Sequence, residues 1–486
     1  MRLASKHLRM SRWTPWVAPF IAIASLSVAA LTACSGGGSL PSPSSTPSNP
    51  GTPPLPPFNP QSSIVGDDWV TFAHDIMRTG YQPQSTGIST ATVSSLQLKW
   101  TANMHEPDQS SPVVYGGLLI AGGQIGNVEA FDVKTGAMVW QQSIGGSIMM
   151  TPTIDTATNT LFIGNRFNDS TGKPAPSYLY ALDLMSGAVR WSHRTLGLTH
   201  GSPVVAAGRV YAESSGGDAP GCRSTGVSAF DEATGHLYWN WFVDTNPNQG
   251  GSVWSPISYD GTHLYFGTGN TCDAPITTAN GAAALNTNGT LAWSYVATRN
   301  SKVDDDTGGG VLVARDRAFF INKNGTFYAL SSSGSFQWSN MLGAIDGAGM
   351  FSTPSTDGNV IIVGAGYTAL PTAQSIRSLS RNGATNGTPV PFTGTPGTTK
   401  VVAMDYYGNV KWTLSRSQPL YGSAAINNGV AFAAIENELL ALDVQSGKVL
   451  WSFTAPSQFR ASPVVVPSGV YAVDTTGDVY AFAVPR

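Results

Sequence analysis

Five short stretches stand out in a sequence whose Asp, Glu, Lys and Arg together make up only 11% of residues. Ser252-Val253-Trp254-Ser255-Pro256 offers an indole, a flat apolar surface on which a planar ring can stack. Ser214-Ser215-Gly216-Gly217-Asp218 and Gly267-Thr268-Gly269-Asn270 end in a carboxylate and an amide, oxygen donors of the kind that hold a hard cation. Asp304-Asp305-Asp306 supplies carboxylates, the commonest proton acceptors after histidine. Asn322-Lys323-Asn324-Gly325 supplies an ammonium able to steady a negative oxygen. Each stretch also has a plain structural reading: a glycine-rich loop, a solvated acidic turn, an isolated lysine. The chain has no Walker phosphate loop, no His-Glu-x-x-His and no Cys-x-x-Cys-His. Net charge is −3 with no Lys/Arg-rich run, which argues against a nucleic-acid partner.

The elements that position these residues come from an internal repeat. Alanine followed by a large apolar residue recurs at Ala130-Phe131, Ala181-Leu182, Ala229-Phe230, Ala284-Leu285, Ala329-Leu330, Ala403-Met404, Ala441-Leu442 and Ala481-Phe482. The first seven are followed by a glycine and, four residues later, a tryptophan: Gly136/Trp140, Gly187/Trp191, Gly235/Trp239, Gly289/Trp293, Gly334/Trp338, Gly408/Trp412 and Gly447/Trp451. A turn glycine with positive φ and a tryptophan at fixed register on the next strand describe a hairpin. Two further β-rich runs precede each alanine, giving four strands per repeat. The expected fold is all-β, an eight-bladed propeller of four-stranded antiparallel blades. The eighth repeat stops before its glycine and tryptophan, while Leu96-Gln97-Leu98-Lys99-Trp100 stands as an orphan fourth strand near the start. That strand is expected to complete blade eight and close the ring, removing exposed edges.

In this frame Trp254 and Asp306 stand at the start of innermost strands. Asp218, Asn270 and Lys323 stand just after second strands. Antiparallel neighbours bring the start of one strand beside the end of the next, so all five fall on one face, in blades three to five. The excess length between Trp338 and Trp412, rich in Thr, Gly, Pro and Ser, is expected to form a surface loop over residues 364–400.

Ahead of the repeats, Arg2, Lys6, Arg9 and Arg12 precede an apolar run ending in Leu31-Thr32-Ala33-Cys34. This describes an export signal over residues 1–33, and its end resembles the lipobox of bacterial lipoproteins, in which the cysteine (Cys34 here) is lipidated. Residues 34–63 are rich in Pro, Ser and Gly without charge, the composition of an extended tether. The propeller then spans 64–486. An envelope location leaves Cys222 and Cys272 as the natural disulfide pair, two free thiols being the alternative.

The Ala-x-Asp-x-x-Thr-Gly-x-x-x-Trp unit, with Trp69-Val70-Thr71-Phe72-Ala73-His74-Asp75 and Arg78-Thr79-Gly80 before it, resembles the repeat of pyrroloquinoline-quinone (PQQ) propellers. The resemblance covers residues 67–486. It implies one of two functions: a PQQ- and calcium-dependent oxidoreductase acting on alcohols or polyols, or a non-catalytic scaffold binding other envelope proteins, like the B lipoprotein of barrel assembly. The first would make Trp254 the quinone platform and Asp218 and Asn270 calcium ligands, Asp218 standing where the family usually has glutamate. Asp306 would be the catalytic base, and Lys323 would both bind the quinone and stabilise its reduced oxygen. The sequence departs from those dehydrogenases in lacking their adjacent cysteines and a haem site. Replacing Cys34 with alanine should release the protein from the membrane fraction into the soluble one; persistence on membranes after a high-salt wash would refute the lipid anchor.

Overall fold

The computed structural model describes residues 55–59, 68–168, 174–216, 223–246, 248, 250–271, 277–298, 305–343, 352–366, 399–418 and 420–485. Residues 1–54, where the export signal and lipidated Cys34 are expected, lie outside this set. Within it lie eight four-stranded antiparallel sheets and one two-stranded ribbon. Blade one runs Val113–Tyr115, Leu118–Gly122, Asn127–Asp132 and Met138–Ser143 from the inside outward. Burial follows that order: Leu118–Gly122 is wholly buried, while Met138–Ser143 alternates with solvent. Near-continuous apolar inner strands and an alternating rim are what a blade covered on both faces requires.

The repeated alanine and tryptophan prove to be one device. In every blade they are direct cross-strand partners, from Ala130↔Trp140 to Ala441↔Trp451. A bulge follows each pair and turns the indole toward the next blade. There its N–H donates to a main-chain carbonyl: Trp140 to Leu184 at 3.1 Å, Trp191 to Glu232 at 3.0 Å, Trp293 to Ser332 at 2.8 Å, Trp412 to Val444 at 2.8 Å. The ring lies on the hairpin glycine of that blade. A Cβ on Gly187 would stand 2.6 Å from Trp140 Cε3, and the same crowding recurs from Gly136 on Trp100 to Gly447 on Trp412. The glycine therefore answers two demands, positive φ and a bare surface for the neighbouring indole.

Closure follows the same geometry. Gln97–Asn103 pairs with Asp478–Ala483, placing Trp100 opposite Ala481, and the Trp100 indole donates to Val133 of blade one. Trp451 of blade seven meets no glycine; it donates to Leu96 at 3.2 Å, just after the 3₁₀ turn Val93–Ser95. Blade six pairs Ile361–Ala365 directly with Thr399–Met404, so the extra length lies between its second and third strands; residues 367–398, where the surface loop is expected, lie outside the described set. Of the proposed tether, Leu55 and Phe58 pack against the core cluster of blades five and six.

The segment between Trp69 and Gln82 does something the repeat does not foretell. It crosses the channel and bonds to the inner strands in turn: Trp69 with Val114, Val70 with Ile154, Ile76 with Tyr259, Met77 with Val313, Thr79 with Thr356, Gly80 and Gln82 with Ile426. Blade three is reached by Arg78, which is fully buried and gives its N–H groups to the carbonyls of Phe72, Pro203 and Ile257 and to Thr71 Oγ1. Burial draws its guanidinium down to about 9, still charged at neutral pH. These contacts fall level with the inner strands, whereas Trp254 and Asp306 stand ahead of theirs. The channel is thus floored beneath them.

Gly187 and Gly208 share φ near +72°, but a Cβ on Gly208 meets nothing within 4 Å. Gly208→Ala should cost about 1 kcal/mol, the left-handed penalty alone, and Gly187→Ala at least about twice that because the indole must also move. Denaturant unfolding of the two variants measures the difference, and equal losses would refute the docking role of the glycine.

Candidate functional site

The lead-in to the inner strand of blade four, residues 250–257, carries Trp254 half-exposed beside the channel. Gly269 N donates to Ser252 O at 2.7 Å, and Gly251 N to Asn270 O at 2.8 Å. These bonds lay the Gly-Thr-Gly-Asn segment along the tryptophan: a Cβ on Gly269 would stand 3.5 Å from Trp254 Cδ1. Asn270 follows in the same segment, its carbonyl bonded three residues ahead of Trp254.

Blade five supplies the rest. Asn322 Nδ2 donates to Asp305 O at 2.5 Å and Thr307 Oγ1 at 3.0 Å, and Lys323 N donates to Asp306 O at 3.0 Å. The turn after the second strand thus fixes the segment ahead of the first. The Trp254 indole N–H donates to Asp306 Oδ2 at 2.8 Å, and Lys323 Nζ lies 2.7 Å from Asp306 Oδ1. The same ammonium stands 4.9 Å from the centroid of the indole. Gly308 presses on the far end of the ring, where a Cβ would come within 2.0 Å of Cη2. Asp306 and Lys323 are buried, at 6% and 7% exposure, so their ion pair is shielded from bulk water and salt. Three residues chosen from the sequence, 69 positions apart at the extremes, are therefore in mutual contact. Asp218, Asp304, Cys222 and Cys272 lie outside the described residues; Ser215 and Thr271, in the same loops as Asp218 and Cys272, are bridged to Leu198 and Gly250.

A second group escapes sequence reading. His200 stands edge-on to Trp254, ring centroids 6.5 Å apart. Its Nε2 lies 2.8 Å from Arg166 Nη1 and its Nδ1 2.8 Å from Ser215 Oγ. Since the guanidinium only donates, Nε2 accepts and Nδ1–H donates to the serine. Burial, with the Arg166 charge added, drives the imidazole down to about 3, so it stays neutral. Glu213 is fully buried and takes the backbone N–H groups of His200 and Gly201 on one oxygen, at 2.5 and 2.6 Å. Burial raises its carboxyl well above the usual range. Residues 166, 200, 213 and 215 form no motif; the one available signal is a glutamate closing a buried second strand.

An indole flanked by a buried ammonium–carboxylate pair suits a flat, electron-poor ring carrying oxygen substituents. The pair can orient such a ring, balance negative charge on it and take up a proton. Asn270 is the described side chain suited to a hard cation beside that ring. Among the described residues no three His, Cys, Asp or Glu side chains stand close enough to share a metal ion.

Over residues 86–175, 159–367 and 397–484 the chain matches the PQQ-repeat family described as Outer membrane protein assembly factor BamB. The dehydrogenase subunit of alcohol dehydrogenase (quinone) from Gluconobacter oxydans (strain 621H) is 25% identical over 253 residues, 42% of this chain and 32% of that one. Outer membrane protein assembly factor BamB of Yersinia pestis is 33% identical over 130 residues, 24% of this chain and 30% of that one. The chain spans about a third of the length of these curated relatives. The solved quinohemoprotein alcohol dehydrogenase from Comamonas testosteroni aligns with a TM-score of 0.69 at 18% identity, covering 86% of this chain and 80% of that one, a likeness of fold. With the family match running through all eight blades, the chain belongs to the PQQ-repeat β-propellers.

Proposed function

We propose that this propeller is an exported, lipid-anchored oxidoreductase that binds PQQ and calcium on the face of blades three to five and oxidises alcohols or polyols. The observation that carries the reading is the contact of Trp254, Asp306 and Lys323, since a bare scaffold has no use for a buried ion pair held against an indole. Trp254 is the stacking surface. Lys323 binds at the oxygen-bearing edge of the ring and balances charge there. Asn270, with Asp218, holds the cation. When bound, the quinone with its cation supplies a two-electron acceptor polarised by a Lewis acid. Asp306 takes the hydroxyl proton of the alcohol at its carboxylate, aimed by the indole N–H and by Lys323. The channel floor formed by the segment from Trp69 to Gln82 leaves entry from the Trp254 side and limits water at the ion pair. In the oxidising envelope Cys222 pairs with Cys272, and Cys34 carries the lipid.

The family description and the BamB relative favour a second reading, a scaffold for envelope proteins. Titration of the full chain with PQQ in the presence of calcium separates the two. Saturable quenching of tryptophan fluorescence at micromolar quinone is expected, weakened at least about tenfold by Trp254→Ala through loss of the stacking surface. Asp306→Asn should keep quinone binding but lower alcohol-dependent dye reduction by about 100-fold or more, because an amide cannot take the proton. Well-folded protein that binds no quinone with calcium present would refute the oxidoreductase and leave the scaffold.

A further inference from the structure

The repeat provides its own control for which side chains the fold needs. Immediately before the repeat alanine stand Tyr180, Ser228, Ala283, Tyr328, Val402, Leu440 and Tyr480 in blades two to eight; in blade one stands Glu129. Ahead of the inner strand, Ser147, Leu198, Gly250 and Phe459 make the bridge to the end of the second strand in blades two, three, four and eight; in blade one Asp108 makes it. Between the closing strand Gln97–Asn103 and Asp108 lies Glu106, whose side chain lies against Gly123, where a Cβ would come within 2.1 Å of its Cδ. Three carboxylates thus lie near the junction of blades eight and one, and at two of them, Asp108 and Glu129, the blades compared carry uncharged residues.

They are buried, at 3% for Glu106, 2% for Asp108 and 1% for Glu129. Each has one oxygen bonded: Glu106 Oε2 by Ile125 N at 2.5 Å, Asp108 Oδ1 by Ser110 N at 2.7 Å, Glu129 Oε1 by Gln141 Nε2 at 3.0 Å. The other three oxygens are buried with no hydrogen-bond partner. The remaining charged groups here add negative charge. Blade eight contributes Asp474, fully buried and bonded by Thr476, Asp478 N and Tyr480 OH, and Asp478, which accepts from Asn103. His105 is exposed in the linking loop. Among the described residues no lysine or arginine is ion-paired with any of the three. A buried carboxylate oxygen without a donor or a cation is costly unless the group is neutral.

We propose that the junction of blades eight and one is a proton latch, packed tightly while Asp108 and Glu129 hold protons beside Glu106 and loosened when those two ionise. Metal chelation is a poor alternative, since no three such groups among the described residues are placed to share an ion. Burial raises Asp108 well above the carboxylate range, with the charges of Glu106 and Asp474 adding to it, and raises Glu129 from 4.5 to about 7, with Glu106 adding. Folding therefore takes up protons. The stabilisation is whole below the ordinary glutamate value and is lost as pH rises through about 7.

The test is the melting temperature of the full chain between about pH 5.5 and pH 8.5, wild type against Glu129→Gln and Asp108→Asn together. The wild type should melt at least about 3 °C lower at the alkaline end, and the double variant should flatten that slope. Hydrogen exchange gives an independent reading on the wild type: protection of Gln97–Asn103 should fall with rising pH more than that of the equivalent outer strand Leu291–Val296. A wild-type profile that is flat or rises with pH overturns the latch. So does a rise in melting temperature with calcium at the alkaline end that the double variant abolishes, which would make the cluster a cation site.

Discussion

An indole N–H reaching across to the main chain of the next blade is the contact on which this ring depends. Each blade is a twisted sheet that could meet its neighbour at many angles. The bond from Trp293 to Ser332, with the indole lying on Gly334, fixes both the distance and the tilt of one such meeting. The buried indole N–H needs an acceptor, and the loop carbonyl has no ladder partner, so each satisfies the other. Because the same bond recurs around the ring, errors of angle do not accumulate, and the last blade arrives where the closing strand can reach it.

The site inherits its precision from that arrangement. Trp254 belongs to blade four, while Asp306 and Lys323 belong to blade five, so their contact exists only if two blades hold a fixed relation. Within blade five, Asn322 ties the turn after the second strand to the segment ahead of the first. The reactive pair is thus set by side-chain bonds inside a blade and the indole by packing between blades. No mobile element has to close to bring the three together.

The eight blades and the closing strand were legible because the alanine, glycine and tryptophan obey a register that sequence displays directly. Trp254, Asn270, Asp306 and Lys323 were legible as departures from the repeat, and strand ends alone put them on one face. What the sequence hid is what depends on non-repeating contacts. Arg78 looks like a surface residue until Pro203 and Ile257 are seen to supply carbonyls. His200 and Arg166 lie on different blades with no spacing to connect them. Glu106, Asp108 and Glu129 are visible as acids, yet only the fold shows that all three are buried at the junction of the ring.

The segment from Trp69 to Asn103 also sets an order of events during synthesis. It is made before any blade, yet its partners stretch to the end of the chain: Asn103 bonds to Asp478, 375 residues later. Until that partner emerges, the closing strand has no edge to join and Arg78 no complete set of carbonyls. Pairings so distant form late and slowly. A chain built this way leaves its ring open until the last strand is available. The residues made just ahead of the blades are the last to settle.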